Sequence, residues 1–120
     1  MPAPVGPYSQ FVRAGDLIVT SGQVGLAPDA GSPTLVGETA GDQLDQALAN
    51  GAAVLAEAGA RVDQVVKATL YLVDMADFQA CNEAWLRFFG AHRPARTTVA
   101  VAALPLGARV EVEFIAHAPR

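Results

Sequence analysis

The sequence predicts an α+β fold: one sheet with two helices packed on one of its faces, in the order ββαβαββ. Three observations predict it. Short runs with period-two alternation stand near both ends of the chain and once in its middle. Two central stretches carry apolar residues at helical spacing. Gly and Pro fill the breaks between them. Interspersed strands and helices, with turns joining the first two and the last two strands, call for largely antiparallel pairing in a single layered domain covering residues 1–120.

Pro2, Pro4, Gly6 and Pro7 mark an irregular start. Ser9 to Arg13 and Leu17 to Thr20 read as strands joined around Ala14-Gly15-Asp16. Pro28, Gly31, Pro33 and Gly37 make the next stretch, Leu26 to Gly37, a loop. A helix is predicted from about Thr39 to Ala58, capped by Thr39 or Asp42 and stopped by Gly59. Leu44, Ala47, Leu48, Gly51, Ala52 and Leu55 form its narrow apolar face, small enough in places to lie close to a sheet. Val65 to Val73 reads as a strand, with Val66, Ala68, Leu70 and Leu72 on one side and Lys67, Thr69 and Tyr71 on the other. A second helix is predicted from about Ala76 to Phe89, with Phe78, Cys81, Trp85, Phe88 and Phe89 as its stripe and Gly90 as its end. Thr97 to Ala102 and Arg109 to His117 complete the set, with Leu104-Pro105-Leu106-Gly107 turning between them.

A chain of 120 residues fits one domain, and 52% hydrophobic residues suffice for a packed core. The net charge of −4 and only 8 Lys and Arg argue against a dedicated nucleic-acid module, which would carry a basic stripe. The single cysteine, Cys81, excludes an internal disulfide or a Cys-based metal framework and suits a reducing cytoplasm. No charged start leads into an apolar run, so no signal peptide is expected. No apolar stretch approaches the roughly 20 residues needed to span a bilayer.

The last two strands alternate in an instructive way. Val110, Val112, Phe114 and Ala116, with Thr97, Val99 and Val101, are expected under the helices. The opposite sides combine Arg109, Glu111, Glu113 and Ile115 with Arg96, Thr98, Ala100 and Ala102. Such a mixture of small residues and isolated charges fits a face meeting a neighbouring subunit across a wet cleft. It equally fits a solvated face with paired Arg and Glu.

Among residues able to carry chemistry, Arg96 follows Pro94-Ala95 at a stiff strand entry, where a planar guanidinium is suited to grip a carboxylate. It could also be a surface arginine beside His92 and Arg93. If the last two strands pair, Glu113 shares its side and could hold a water or pass a proton; an ion pair is the alternative role, and Glu111 is its rival. Tyr8, at a Gly-Pro corner, could present its hydroxyl to a site or plug the surface. Ser21-Gly22 ends a strand where backbone could approach a ligand. Cys81 and Trp85 read as core, with Asn82 at the edge of their stripe. His92 and His117 lack partners at metal-ligand spacing, no serine sits in a nucleophile elbow, and SGQVG lacks what a phosphate loop needs.

Five segments in order carry a resemblance: GPYSQ at Gly6–Gln10, TSGQVG at Thr20–Gly25, VVKATLYLVDMADF at Val65–Phe78, NEAW at Asn82–Trp85, and PARTTVAVAALPLGARVEVEFIA at Pro94–Ala116. Together they resemble the reactive-intermediate deaminase family (RidA, also called YjgF) over nearly the whole chain. The resemblance implies a chorismate-mutase-like fold and a homotrimer with sites in the clefts between subunits. It also implies cofactor-free hydrolysis of enamines and imines of the 2-aminoacrylate type to 2-keto acids and ammonia. By the same resemblance Arg96 matches the arginine that grips the substrate carboxylate, Glu113 the glutamate that handles water or proton, and Tyr8, Ser21, Gly22 and Asn82 other site-lining positions. Thr98 stands where some members carry cysteine. Arg93 stands where many carry an aromatic residue, a departure that bears on the pocket mouth and the substrate. A non-catalytic trimer that binds a 2-keto acid in the same clefts is the alternative function, and ribonuclease activity a further one that the acidic balance disfavours.

Overall fold

A computed structural model describes all residues, 1–120. The elements are β1 (Phe11–Ala14), β2 (Leu17–Thr20), α1 (Ala40–Glu57), β3 (Val65–Leu72), α2 (Phe78–Phe89), β4 (Ala95–Ala100) and β5 (Val110–His117). This is the predicted ββαβαββ order. Gly15, at φ 60°, makes the β1–β2 turn. The Thr39 hydroxyl caps α1 by accepting from the Asp42 backbone N–H at 3.1 Å, and Gly59 follows its end at φ 84°.

Both helices cover one face of a five-stranded sheet ordered β1-β2-β5-β3-β4. The core joins Leu44, Leu48 and Leu55 of α1 and Cys81, Trp85 and Phe89 of α2 to the inward residues of β3 and β5. Gly51 lets α1 lie close to the sheet, for a Cβ there would run into the ring of Phe114. The small residue on the helix face thus sets the layer spacing.

Three expectations fail. The last two strands do not pair. β5 inserts between β2 and β3 and is antiparallel to both, while β4 lies at the edge, parallel to β3 and reached through α2. The reason lies in burial: the inner row Val110, Val112, Phe114 and Ala116 is almost wholly enclosed, which only a central strand provides. The faces of β4 are consequently the reverse of those expected. Arg96 and Thr98 share rows with Ala68 and Leu70 on the helix side, whereas Thr97 and Val99 lie exposed on the open face. Finally, a register shift between Val65 and Lys67 buries Val65 and turns Val66 out to solvent.

Candidate active site

The side chains singled out by sequence fall into two groups. The first surrounds Arg96. Its Nη2 donates to Oδ1 of Asn82 at 2.7 Å. Its guanidinium carbon lies 4.9 Å from the Trp85 ring centroid and 5.5 Å from that of Phe78. Residues 78, 82 and 85 are four and then three apart, so one stripe of α2 builds the whole socket above the adjacent strand. Thr98 follows on the same face of β4.

The chain's two ion pairs join Arg61 to Asp63 and Arg87 to Asp45, and Arg96 belongs to neither. Burial lowers its pKa from the ordinary value, opposed by the nearby Cys81 thiol. A half-buried guanidinium with one neutral acceptor and two aromatic faces keeps donors free for an anion. The alternative of a surface arginine beside His92 and Arg93 is therefore not what forms. Arg93 instead turns back to the carbonyls of Gly90 and His92, and His92 Nε2 lies 2.7 Å from the Val65 carbonyl.

The second group gathers where β2 runs out. Ser21 N–H donates to the Gln10 carbonyl at 2.9 Å, and its hydroxyl to the Ser9 carbonyl at 2.6 Å. Gln23 then bridges Val112 of β5. Between them Gly22 lies against Glu111: a Cβ on Gly22 would come within 2.7 Å of the Glu111 carboxyl carbon. The Tyr8 ring folds over Gly6, and Tyr8, Gly22, Gln23, Pro105 and Glu111 line one small cleft. The Glu111 pKa is raised above its ordinary value, first by burial and then by the charge of Glu113.

Glu113 lies on the same open face but outside that cleft, and its Oε1 accepts a 2.6 Å hydrogen bond from the Tyr71 phenol. Arg96 and Glu113 were expected on one side. They stand on opposite faces, because β3 separates their strands and its alternate residues, Ala68 and Thr69, mark the two rows. Sequence reasoning missed Phe78 and Trp85 as walls of the Arg96 socket, although their spacing around Asn82 was readable. It also missed the Tyr71–Glu113 bond, which depends on strand order.

The family model described as Endoribonuclease L-PSP matches residues 1–118. Reactive Intermediate Deaminase A, chloroplastic, of Arabidopsis thaliana is 46% identical over 115 residues, which are 96% of this chain and 60% of that protein. The mouse 2-iminobutanoate/2-iminopropanoate deaminase is also 46% identical, over 96% of this chain and 84% of its own. Among solved structures, RidA from Psychrobacter sp. PAMC 21119 superposes with a TM-score of 0.91 at 38% identity, covering 97% of this chain and 92% of that one. Escherichia coli TdcF with bound serine superposes at 0.89 with 35% identity, over 97% and 91%.

Proposed function

The chain belongs to the Endoribonuclease L-PSP family, which includes the RidA deaminases, and on that footing we propose that it hydrolyses enamines and imines of the 2-aminoacrylate type to 2-keto acids and ammonia. The observation that carries this reading is Arg96: a guanidinium held by Asn82 between two rings, with no carboxylate of its own chain as partner. It binds the substrate carboxylate. Binding of serine, an amino acid, by TdcF agrees with a small carboxylate ligand.

Glu111 is the better of the two candidate acids. It lines the cleft with Tyr8 and Gly22, while one oxygen of Glu113 is engaged by Tyr71. A carboxyl with a raised pKa suits general acid–base work near neutral pH. An enamine first takes a proton on its terminal carbon and loses one from nitrogen to give the imine. Glu111 then gives its proton to the imine nitrogen, and water adds to the carbon while its released proton returns to the Glu111 carboxylate, giving a neutral carbinolamine. The C–N bond then breaks as Glu111 gives its proton to the nitrogen. Ammonia leaves, the C=O bond forms, and the carbinolamine hydroxyl proton returns to the carboxylate. The imine carbon is electrophilic once its nitrogen is protonated, so positioning and proton transfer are the main demands.

Because the Arg96 group and the Glu111 group lie on opposite faces of one protomer, the working site joins Arg96, Asn82 and Thr98 of one copy to Tyr8, Ser21, Gly22 and Glu111 of a neighbour, in a homotrimer. Exposed Val12, Leu17, Val19 and Val99 on the open face favour its cover by further copies. The test is a coupled assay with freshly generated 2-aminoacrylate. Wild type turns over above the spontaneous background, while Arg96→Ala and Glu111→Gln each lose at least about a hundredfold. Unfolding and refolding those two variants together restores activity, since mixed trimers contain an intact cleft. No rate above background overturns catalysis and leaves a binding trimer; no restoration overturns the shared site.

A further inference from the structure

Tyr71 is assigned no part in the reaction just described, yet its hydroxyl is committed to a carboxylate two residues from the candidate acid. Its Cα pairs with that of Glu111 across the β3–β5 ladder, but the hydroxyl reaches diagonally to Glu113, whose own partner in register is Thr69. The three side chains therefore form a compact triangle on the open face. One edge is strand spacing along β5, and another is a 2.6 Å hydrogen bond from phenol to carboxylate.

We propose that Tyr71 and Glu113 are a positioning pair for Glu111: the phenol pins one oxygen of Glu113, so that a second carboxylate is held beside Glu111 and favours Glu111 as the proton donor to the departing nitrogen. The physics is that of two carboxylates sharing a site, where the charge of one disfavours ionisation of the other. The phenol suits this task because it fixes Glu113 without supplying a positive charge that would cancel the effect. A lysine or arginine in its place would neutralise Glu113 and lower the proton affinity of Glu111.

The other groups near Glu111 fit this arrangement. Arg109 stands just before β5 and is exposed. Lys67 of β3 lines the same pocket as Glu113, but its Nζ donates to the Thr97 hydroxyl of β4 at 2.6 Å and forms no ion pair with Glu113. Tyr8, Ser21, Gly22 and Gln23 supply no charge from the segments beside β2. Glu113 is thus the charged neighbour that acts on Glu111, in agreement with the raised Glu111 pKa, whose second cause after burial is Glu113.

The pair rests on the assignment of Glu111 above, so its test reads the resting protein as well as turnover. Carbon-detected NMR of labelled glutamate follows the titration midpoint of Glu111 in wild type, Tyr71→Phe and Glu113→Gln. Both substitutions move that midpoint to lower pH: Glu113→Gln removes the charge, and Tyr71→Phe lets it swing into water. In the 2-aminoacrylate assay Tyr71→Phe lowers kcat about tenfold, the size expected for one hydrogen bond to a charged group, with KM within about twofold. A phenol that only stabilised the sheet would lower Tm and leave the midpoint in place; an unmoved midpoint in both variants overturns the pairing even if the enzyme turns over. Should the midpoint move while even wild type shows no turnover, the pairing stands and the deaminase assignment fails.

Discussion

Asn82 holds Arg96 from one side, Oδ1 to Nη2 at 2.7 Å, and does so without a charge. An aspartate would reach the same donor and neutralise it. Asn82→Asp is therefore expected to convert the anion socket into an internal ion pair. KM for the carboxylate substrate rises about tenfold or more, because a hydrogen-bonded charge pair must be broken before substrate binds, while Tm stays level or rises. Steady-state kinetics beside a thermal melt checks this; an unchanged KM removes Arg96 from carboxylate binding.

Trp85 is the chain's one tryptophan and lies beneath the Arg96 guanidinium. Filling of the socket by a 2-keto acid such as pyruvate is expected to change its fluorescence in a saturable way, and Arg96→Ala abolishes that response. Trp85 is also buried core at 5% exposure, so Trp85→Ala costs about 3–5 kcal/mol in denaturant unfolding. Trp85→Phe separates the roles by keeping the apolar contact and weakening the cation–π attraction.

Two glycines make opposite demands. Gly22→Ala places a methyl against the Glu111 carboxyl group, the end of a flexible side chain. It is expected to displace Glu111, cutting kcat about tenfold or more with Tm nearly unchanged. Gly51→Ala instead drives a methyl into the Phe114 ring inside the core. That substitution costs about 1–3 kcal/mol of overpacking, read as a lowered denaturant midpoint.

The pH dependence of stability separates Glu111 from Tyr71. Glu111, raised above its ordinary 4.5 by burial and then by Glu113, contributes stability that is fully present below that value and lost as pH climbs through its folded-state pKa. The half-buried carboxyl is therefore a liability above its ordinary value, so Glu111→Gln raises Tm at neutral pH while cutting turnover at least about a hundredfold, and the gain in Tm shrinks in acid. Tyr71 is pushed from 10.0 to about 12, chiefly by its hydrogen bond to Glu113. Its contribution is present below pH 10 and disappears between 10 and 12, so the wild-type Tm falls across that window more steeply than that of Tyr71→Phe.

Cys81 is fully enclosed, and burial, with the Asp77 charge, pushes its thiol up to about 11. A thiol in that state is inert. Labelling by a disulfide reagent is expected to proceed only at the rate of global opening and to become immediate in denaturant; rapid labelling of the native protein refutes its place in the core.

Much of this was legible in the chain itself. Period-two runs placed the strands, the Thr39 cap and Gly59 bounded α1, and Cys81 read correctly as core, because burial of one face leaves its period in the sequence. The motifs around Tyr8, Ser21, Gly22, Asn82 and Arg96 pointed to residues that the fold sorts into two compact groups. What the chain did not disclose was strand order. Alternation tells which residues share a face within one strand but not which strand lies beside it, so Arg96 was put on the wrong side and Glu113 beside it. Only the assembled sheet decides that, because β5 gains most by burial at the centre and β4, carrying exposed Thr97 and Val99, is left at the edge under α2. That placement sets Arg96 against Asn82 and Glu111 against Gly22, contacts between segments far apart in sequence, and such contacts exist only after the layers have packed.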